Sequence, residues 1–207
     1  MKKYIVLAIL FVFPLVVYLF FASGVNRFAK LPVLTQNIEE IGEYSDAQFK
    51  DRITVLGFFG NVLQDKKALA LNLNQKIYKR FYRFTDFQFL IALPQGTETQ
   101  AENLKNELEG TTGTDMSRWN FVFLPPDDLQ FIFRSLNLPL SLDTNLANPF
   151  VFIVDRNGNL RGRDDDDFFG YDARSVADIN HNMADDAEVI LEAYRLALKE
   201  INTARYP

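Results

Sequence analysis

Four short apolar runs, separated by stretches of helical length, constrain the fold of this chain more than any other feature. They are ITVLGFF within Arg52–Phe59, FQFLIAL at Phe87–Leu93, WNFVFL at Trp119–Leu124 and FVFIVD at Phe150–Asp155. Runs this uniformly apolar are expected as strands buried on both faces, in a sheet covered by helices. Lys66–Phe84 sets Leu69, Leu73, Ile77, Phe81 and Phe84 at helical spacing. Its second half carries Lys76, Lys79, Arg80 and Arg83, where cations suit the helix dipole. Thr99–Leu108 reads as a polar surface helix that ends at the glycines Gly110 and Gly113. Pro125-Pro126-Asp127-Asp128 opens a further helix, with its acids at the positive end.

Strands that alternate with helices argue for parallel pairing through crossovers. Asn157-Gly158 is a tight hairpin signal, so Leu160–Arg163 is expected to return as an antiparallel fifth strand. The sheet is therefore mixed. Arg174–Asn202 closes the chain as a long helix, apolar at Val176, Ile179, Met183, Val189, Ile190, Tyr194 and Leu198. The 207 residues, 48% of them hydrophobic with 20 Phe, suit one ordinary domain with a real core plus an appendage.

The appendage is Tyr4–Ala22, YIVLAILFVFPLVVYLFFA, a nineteen-residue run without charge. As a helix it would be about 28 Å long, close to the ~30 Å hydrocarbon core of a bilayer. Pro14 is tolerable in a membrane helix. A signal peptide cleaved near Ala22-Ser23-Gly24 is the rival reading, but the run exceeds the ~7–15 residue apolar core of such peptides. Lys2 and Lys3 face Arg27 and Lys30 across it, which leans mildly toward a cytoplasmic N-terminus and an extracytoplasmic (periplasmic) domain. The expected organisation is a membrane anchor over residues 1–23, a linker and lead-in over 24–48, and the domain over 49–207.

Composition excludes several functions. The chain has no cysteine, which removes disulfides, thiol redox chemistry, zinc–thiolate sites and iron–sulfur ligation. Its net charge of -5 offers no general nucleic-acid footprint. His181 is the only histidine, so the usual base of a Ser–His–Asp site is not at hand without it. A pairing of His181 with Asp178 or Asp185 across one helical turn is the simpler expectation.

The order of elements, the strand-to-turn segment ITVLGFFG, the strand FLIALP and the hairpin FVFIVDRNGNLRGR resemble the thioredoxin superfamily. More narrowly they resemble the SCO/SenC proteins, membrane-anchored copper chaperones of cytochrome c oxidase assembly. The resemblance covers residues 31–201 and the anchor. It implies an α/β, thioredoxin-like mixed sheet flanked by helices, preceded by one transmembrane helix. In that family a CxxxC pair follows the strand represented here by Phe58-Phe59-Gly60, and a histidine precedes the strand represented by Phe150–Asp155. Here Asn61–Lys67 supplies no thiol and Asp143–Pro149 no histidine. Copper(I) prefers soft sulfur or imidazole ligands, so no metal, cofactor or catalytic residue carries over. Pro149 occupies the place where thioredoxin relatives often hold a cis-proline.

The remaining candidates are acidic. Asp164, Asp165, Asp166 and Asp167 form the densest charge run, beside Phe168, Phe169 and Tyr171. Acids next to aromatics suit a partner-binding surface, although the rings equally suit a cap on the core. Asp155, Asn157, Asn159 and Asp166 mimic part of a calcium loop. Leu160 stands where the loop glycine belongs, which favours a plain turn. Phe81, Tyr82, Phe84, Phe87 and Phe89 form an aromatic-rich zone, mostly core. The expected function is that of a non-catalytic, membrane-anchored accessory protein, a scaffold or assembly factor for a respiratory complex. Its partners would be a membrane protein complex or a copper-handling protein. The alternatives are a permanent structural subunit, or a divalent-cation binder at Asp164–Asp167.

Overall fold

The computed structural model describes residues 12–14, 31–164 and 167–205. The anchor read at Tyr4–Ala22 lies outside the described residues except for Val12–Pro14, which are helical. Among the described residues no helix is long and apolar enough to cross a membrane.

From Leu31 onward the chain forms one compact unit around a seven-stranded sheet. In chain order the elements are β1 (Val33–Thr35), β2 (Ile53–Phe59), α1 (Lys67–Leu73), a π-helical turn (Asn74–Tyr78), α2 (Lys79–Phe81) and β3 (Phe87–Pro94). There follow α3 (Glu98–Thr112), β4 (Trp119–Leu124), α4 (Pro126–Ser135), β5 (Ala147–Val154), β6 (Leu160–Arg161) and β7 (Tyr171–Asp172). A second π-helical turn (Asp178–Met183) leads into α5 (Ala184–Arg205). The strand order is β1-β6-β5-β2-β3-β4, with β7 paired to β5. β2, β3 and β4 run parallel, whereas β5, β6 and β1 join antiparallel.

The uniform apolarity of the central strands has the expected cause, since every residue of β2 and β3 is buried. Ile53 and Val55 of β2 and Phe87, Phe89, Ile91 and Leu93 of β3 enter one core, with Leu73, Ile77, Ile179 and Met183 from the helices. Leu56, Phe58, Leu90 and Ala92 enter the opposite core, with Leu129, Ile132 and Phe133 of α4. Successive strand residues point to opposite faces, so one run of side chains serves both layers.

Several boundaries move from their expected places. Residues 31–48, read as part of a linker and lead-in, add edge strand β1 and bury Ile38 and Ile41. The buried carboxamide of Gln88 holds this segment down, donating from Nε2 to the Gln48 carbonyl at 2.8 Å and to Thr54 Oγ1 at 2.9 Å. The first helix begins at Lys67 behind a 3-10 turn (Leu63–Lys66) and ends at Phe81. α3 runs on to Thr112, where Gly113 caps it in the left-handed region at φ 62. β5 starts at Ala147 and contains Pro149, which sits where the register with β2 shifts between Gly57 and Phe59. A bulge is where a strand tolerates a residue without an N–H. The peptide bond before Pro149 is trans. β6 stops at Arg161, and Arg163 beyond it turns its side chain to Asp186. The last helix starts after Ser175, whose Oγ accepts the Asp178 N–H at 3.2 Å.

Candidate functional site

Three connections meet beyond the C-terminal ends of β2 and β3. The first is the turn Gly60-Asn61-Val62-Leu63. Gly60 leaves β2 at φ 73, and a Cβ there would run into the Asn145 carbonyl oxygen. Only glycine fits both constraints. Asn61 then donates its N–H to that same Asn145 carbonyl at 2.9 Å. The second connection supplies Gln100, in the first turns of α3. Its carboxamide bridges the turn, with Oε1 accepting the Leu63 N–H at 3.2 Å and Nε2 donating to the Asn61 carbonyl at 3.2 Å.

The third connection is the loop Asp143–Ala147. Asp143 Oδ1 accepts the N–H groups of Asn145 at 2.9 Å and Ala147 at 2.8 Å. This folds the loop tightly enough to put Leu146 in the left-handed region at φ 61. A leucine there is strained by about 1 kcal/mol or more. The loop is thus held in one shape that presents the Asn145 carbonyl to the Asn61 N–H.

Beside the turn lies an open cavity of about 390 Å³, lined by Gln64, Lys67, Gln100, Asn103 and Glu107 among others. Lys67 Nζ and Glu107 Oε1 pair across it at 2.9 Å with both side chains about half exposed. The cavity therefore offers carboxamides and a neutral ion pair. The turn itself carries Asn61, Val62, Leu63 and Gln64, none of which can act as a nucleophile or a soft metal ligand. The arrangement can donate and accept hydrogen bonds, and thiol–disulfide exchange is closed to it.

The acidic candidate region is built differently. Asp164 and Asp167 are exposed, Phe168 and Phe169 are half-buried, and Asp165 and Asp166 lie outside the described residues. Tyr171 is fully buried. Its Oη donates to Asp186 Oδ2 at 2.9 Å, and burial, with the Asp186 charge behind it, pushes the phenol far up. Arg163 grips the same carboxylate with two nitrogens, at 2.8 and 3.2 Å. One carboxylate on α5 therefore fastens both ends of the loop that carries Asp164 and Asp167. Phe168 packs edge-on to Tyr171, with ring centroids 5.1 Å apart. Of the two sequence readings, Tyr171 takes the core one, and Asp164 and Asp167 lie exposed.

The calcium-like run is a closed turn. Asp155 Oδ1 accepts the N–H groups of Asn157 at 2.9 Å and Asn159 at 3.0 Å, and Oδ2 accepts Arg161 Nε at 2.7 Å. Burial pushes the Asp155 carboxyl up, but these donors outweigh it and hold the group below the usual carboxylate range. His181 is exposed, and Asp178 turns its carboxylate to Asn182 Nδ2 at 2.6 Å and the Asp172 N–H at 2.7 Å. Among the described residues no group of three acids, histidines or cysteines is placed to hold a metal ion. The clamp residues Gln100, Asn145 and Asp143 were not legible as a site, because polar loop residues carry no spacing signal until the fold brings them together.

No protein-family model and no curated protein matches the sequence. Solved structures do match. A SCO1/SenC family lipoprotein from Bacillus anthracis str. Ames is similar at 18% identity and a TM-score of 0.51, over 80% of this chain and 97% of that one. The soluble domain of Sco1 from Bacillus subtilis aligns at 12% identity over 66% and 86% of the two chains, with a TM-score of 0.42. The thioredoxin domain of a thiol-disulfide oxidoreductase from Bacteroides vulgatus aligns at 15% identity over 77% and 96%, with a TM-score of 0.44. The first of these establishes the fold. The chain shares the thioredoxin-like architecture of a SCO1/SenC family lipoprotein and has no cysteine.

Proposed function

We propose that this protein is a membrane-anchored, non-catalytic relative of the SCO/SenC proteins. In this reading it serves as a scaffold or assembly factor for a respiratory membrane complex of the cytochrome oxidase type. Its domain lies on the extracytoplasmic side, held near membrane partners by the helix read at Tyr4–Ala22, which raises its effective concentration there. The partners are oxidase subunits or a copper-handling protein.

One observation carries the reading. The fold keeps the strand-to-turn geometry at Gly60–Leu63, yet the turn is tied by Gln100 and Asn145 and holds no thiol. A retained fold without its reactive groups leaves surface as the useful product. The exposed acids Asp164 and Asp167, on a loop whose ends are fixed through Asp186, supply a candidate docking surface for a basic partner.

The test is a mild-detergent pull-down of the full-length tagged protein from its native membrane, with mass spectrometry of stoichiometric partners. Recovery of oxidase subunits or copper-handling proteins is expected. Neutralising Asp164 to Asp167 together as Asn should sharply reduce that recovery while leaving the protein folded. An unrelated complex in stoichiometric amount would replace this reading with that of a structural subunit.

A further inference from the structure

β4 (Trp119–Leu124) is the outermost strand of the sheet and pairs only with β3 among the described strands. The Phe89 N–H donates to the Arg118 carbonyl at 2.8 Å, and the Gln95 N–H to the Leu124 carbonyl at 3.0 Å. Even-numbered residues along β4 therefore turn their peptide groups toward β3. In a parallel ladder the residues between them turn theirs away. These are Trp119, Phe121 and Phe123. The Trp119 N–H is used by the Met116 carbonyl at 3.1 Å. The Trp119 carbonyl and both main-chain groups of Phe121 and Phe123 are left along the open edge.

Natural edge strands are blunted by charge, proline or a bulge. WNFVFL has no charge and no proline, and its register with β3 is unbroken from Trp119 to Leu124. The Phe121 and Phe123 side chains are half-buried, so added cover would bury more apolar surface. Charge favours one direction for a second strand. Asp115 and Arg118, together near neutral, stand before β4, and the acids Asp127 and Asp128 stand after it. Parallel pairing with an identical strand would bring the two acidic ends together, whereas antiparallel pairing separates them and sets each beside the Asp115–Arg118 end of the other strand.

We propose that the β4 edge pairs antiparallel with β4 of a second copy of this chain, around a two-fold axis. Phe121 lies opposite Phe121 of the second copy, and Trp119 opposite its Phe123. The two Phe121 residues exchange N–H···O=C bonds, and each Phe123 N–H meets the Trp119 carbonyl of the other copy. This register leaves only the Phe123 carbonyl of each copy unpaired, because the Trp119 N–H that would meet it is already held by the Met116 carbonyl. A single strand pair buries little area, so the dimer is reversible and favoured at the high local concentration of a membrane. The proposal stands apart from the accessory reading, since it concerns a different edge and a different partner.

The test uses the full-length chain in detergent micelles, with the protein mass measured by light scattering across a concentration series. The expected mass is that of two chains. Phe123→Pro removes an N–H that faces away from β3, which an edge strand tolerates. It should weaken association about tenfold or more while thermal unfolding remains cooperative. Because the chain lacks cysteine, Phe121→Cys gives a clean second probe. The opposed residues lie at about 5.5 Å between Cα atoms, within disulfide range, so mild oxidation should link two copies. Phe131→Cys, at a position 58% exposed on α4, should not link. A single-chain mass at every concentration would overturn the proposal. So would cross-linking of the Phe131→Cys variant without cross-linking of the Phe121→Cys variant. A chain that is monomeric alone, and whose Phe121→Cys variant cross-links to a different protein, would overturn it as well.

Discussion

Tyr171 Oη lies 2.9 Å from Asp186 Oδ2, on the carboxylate that Arg163 also grips. The residues at the two ends of the acidic loop are thus fastened to one point on α5. Asp186→Ala should destabilise the domain by about 2–4 kcal/mol, because it leaves a buried phenol and a half-buried guanidinium without this acceptor. Tyr171→Phe removes one donor and keeps the ring, so about 1 kcal/mol is expected. Urea unfolding measures both. Limited proteolysis should cut between Arg163 and Tyr171 faster in Asp186→Ala than in the wild type.

The turn at Gly60 tolerates little. Gly60→Ala must adopt φ 73 with its Cβ against the Asn145 carbonyl. A loss of about 2 kcal/mol or more is expected. Gln100→Ala removes only the side-chain bridge across Asn61 and Leu63, at an exposed position, and should cost about 1 kcal/mol. Thermal unfolding of the two variants should rank them in that order.

These two regions differ in how far the residues alone disclosed them. The central strands were readable because Ile53–Phe59 and Phe87–Pro94 serve two cores at once, and that demands apolar residues without alternation. β1 was not readable. Val33-Leu34-Thr35 is too short to carry a period, and it becomes a strand only because Leu160 and Arg161 lie beside it. Nor does a helical pattern disclose its π-helical turns. Asn74 begins one of them, buried, with Nδ2 3.1 Å from Met116 Sδ. At the candidate site the absence of cysteine was plain, whereas the clamp across the turn depends on Gln100 and Asn145, far apart in the chain. Tyr171 reads as either interface or core until Asp186 is known to face it.

Acid should act through Asp155. Its folded pKa lies below its unfolded one, so its contribution is present above the ordinary carboxylate range and is lost as pH falls through the folded value. The wild type should lose stability progressively below about pH 4. Asp155→Asn should be less stable at neutral pH and show a shallower slope in that acid window. Urea midpoints between neutral and acid pH, compared for the two proteins, measure the difference.

We propose that this thioredoxin-like domain works through its surface in assembling an oxidase-type complex, and not through thiol or copper chemistry of its own. The most direct measurement is the amount of assembled cytochrome oxidase in membranes of the native organism after deletion of the protein. A clear fall in assembled oxidase is expected, restored by the wild type and not by the variant with Asp164 to Asp167 changed to Asn. Unchanged oxidase after deletion, or full restoration by that variant, would contradict it.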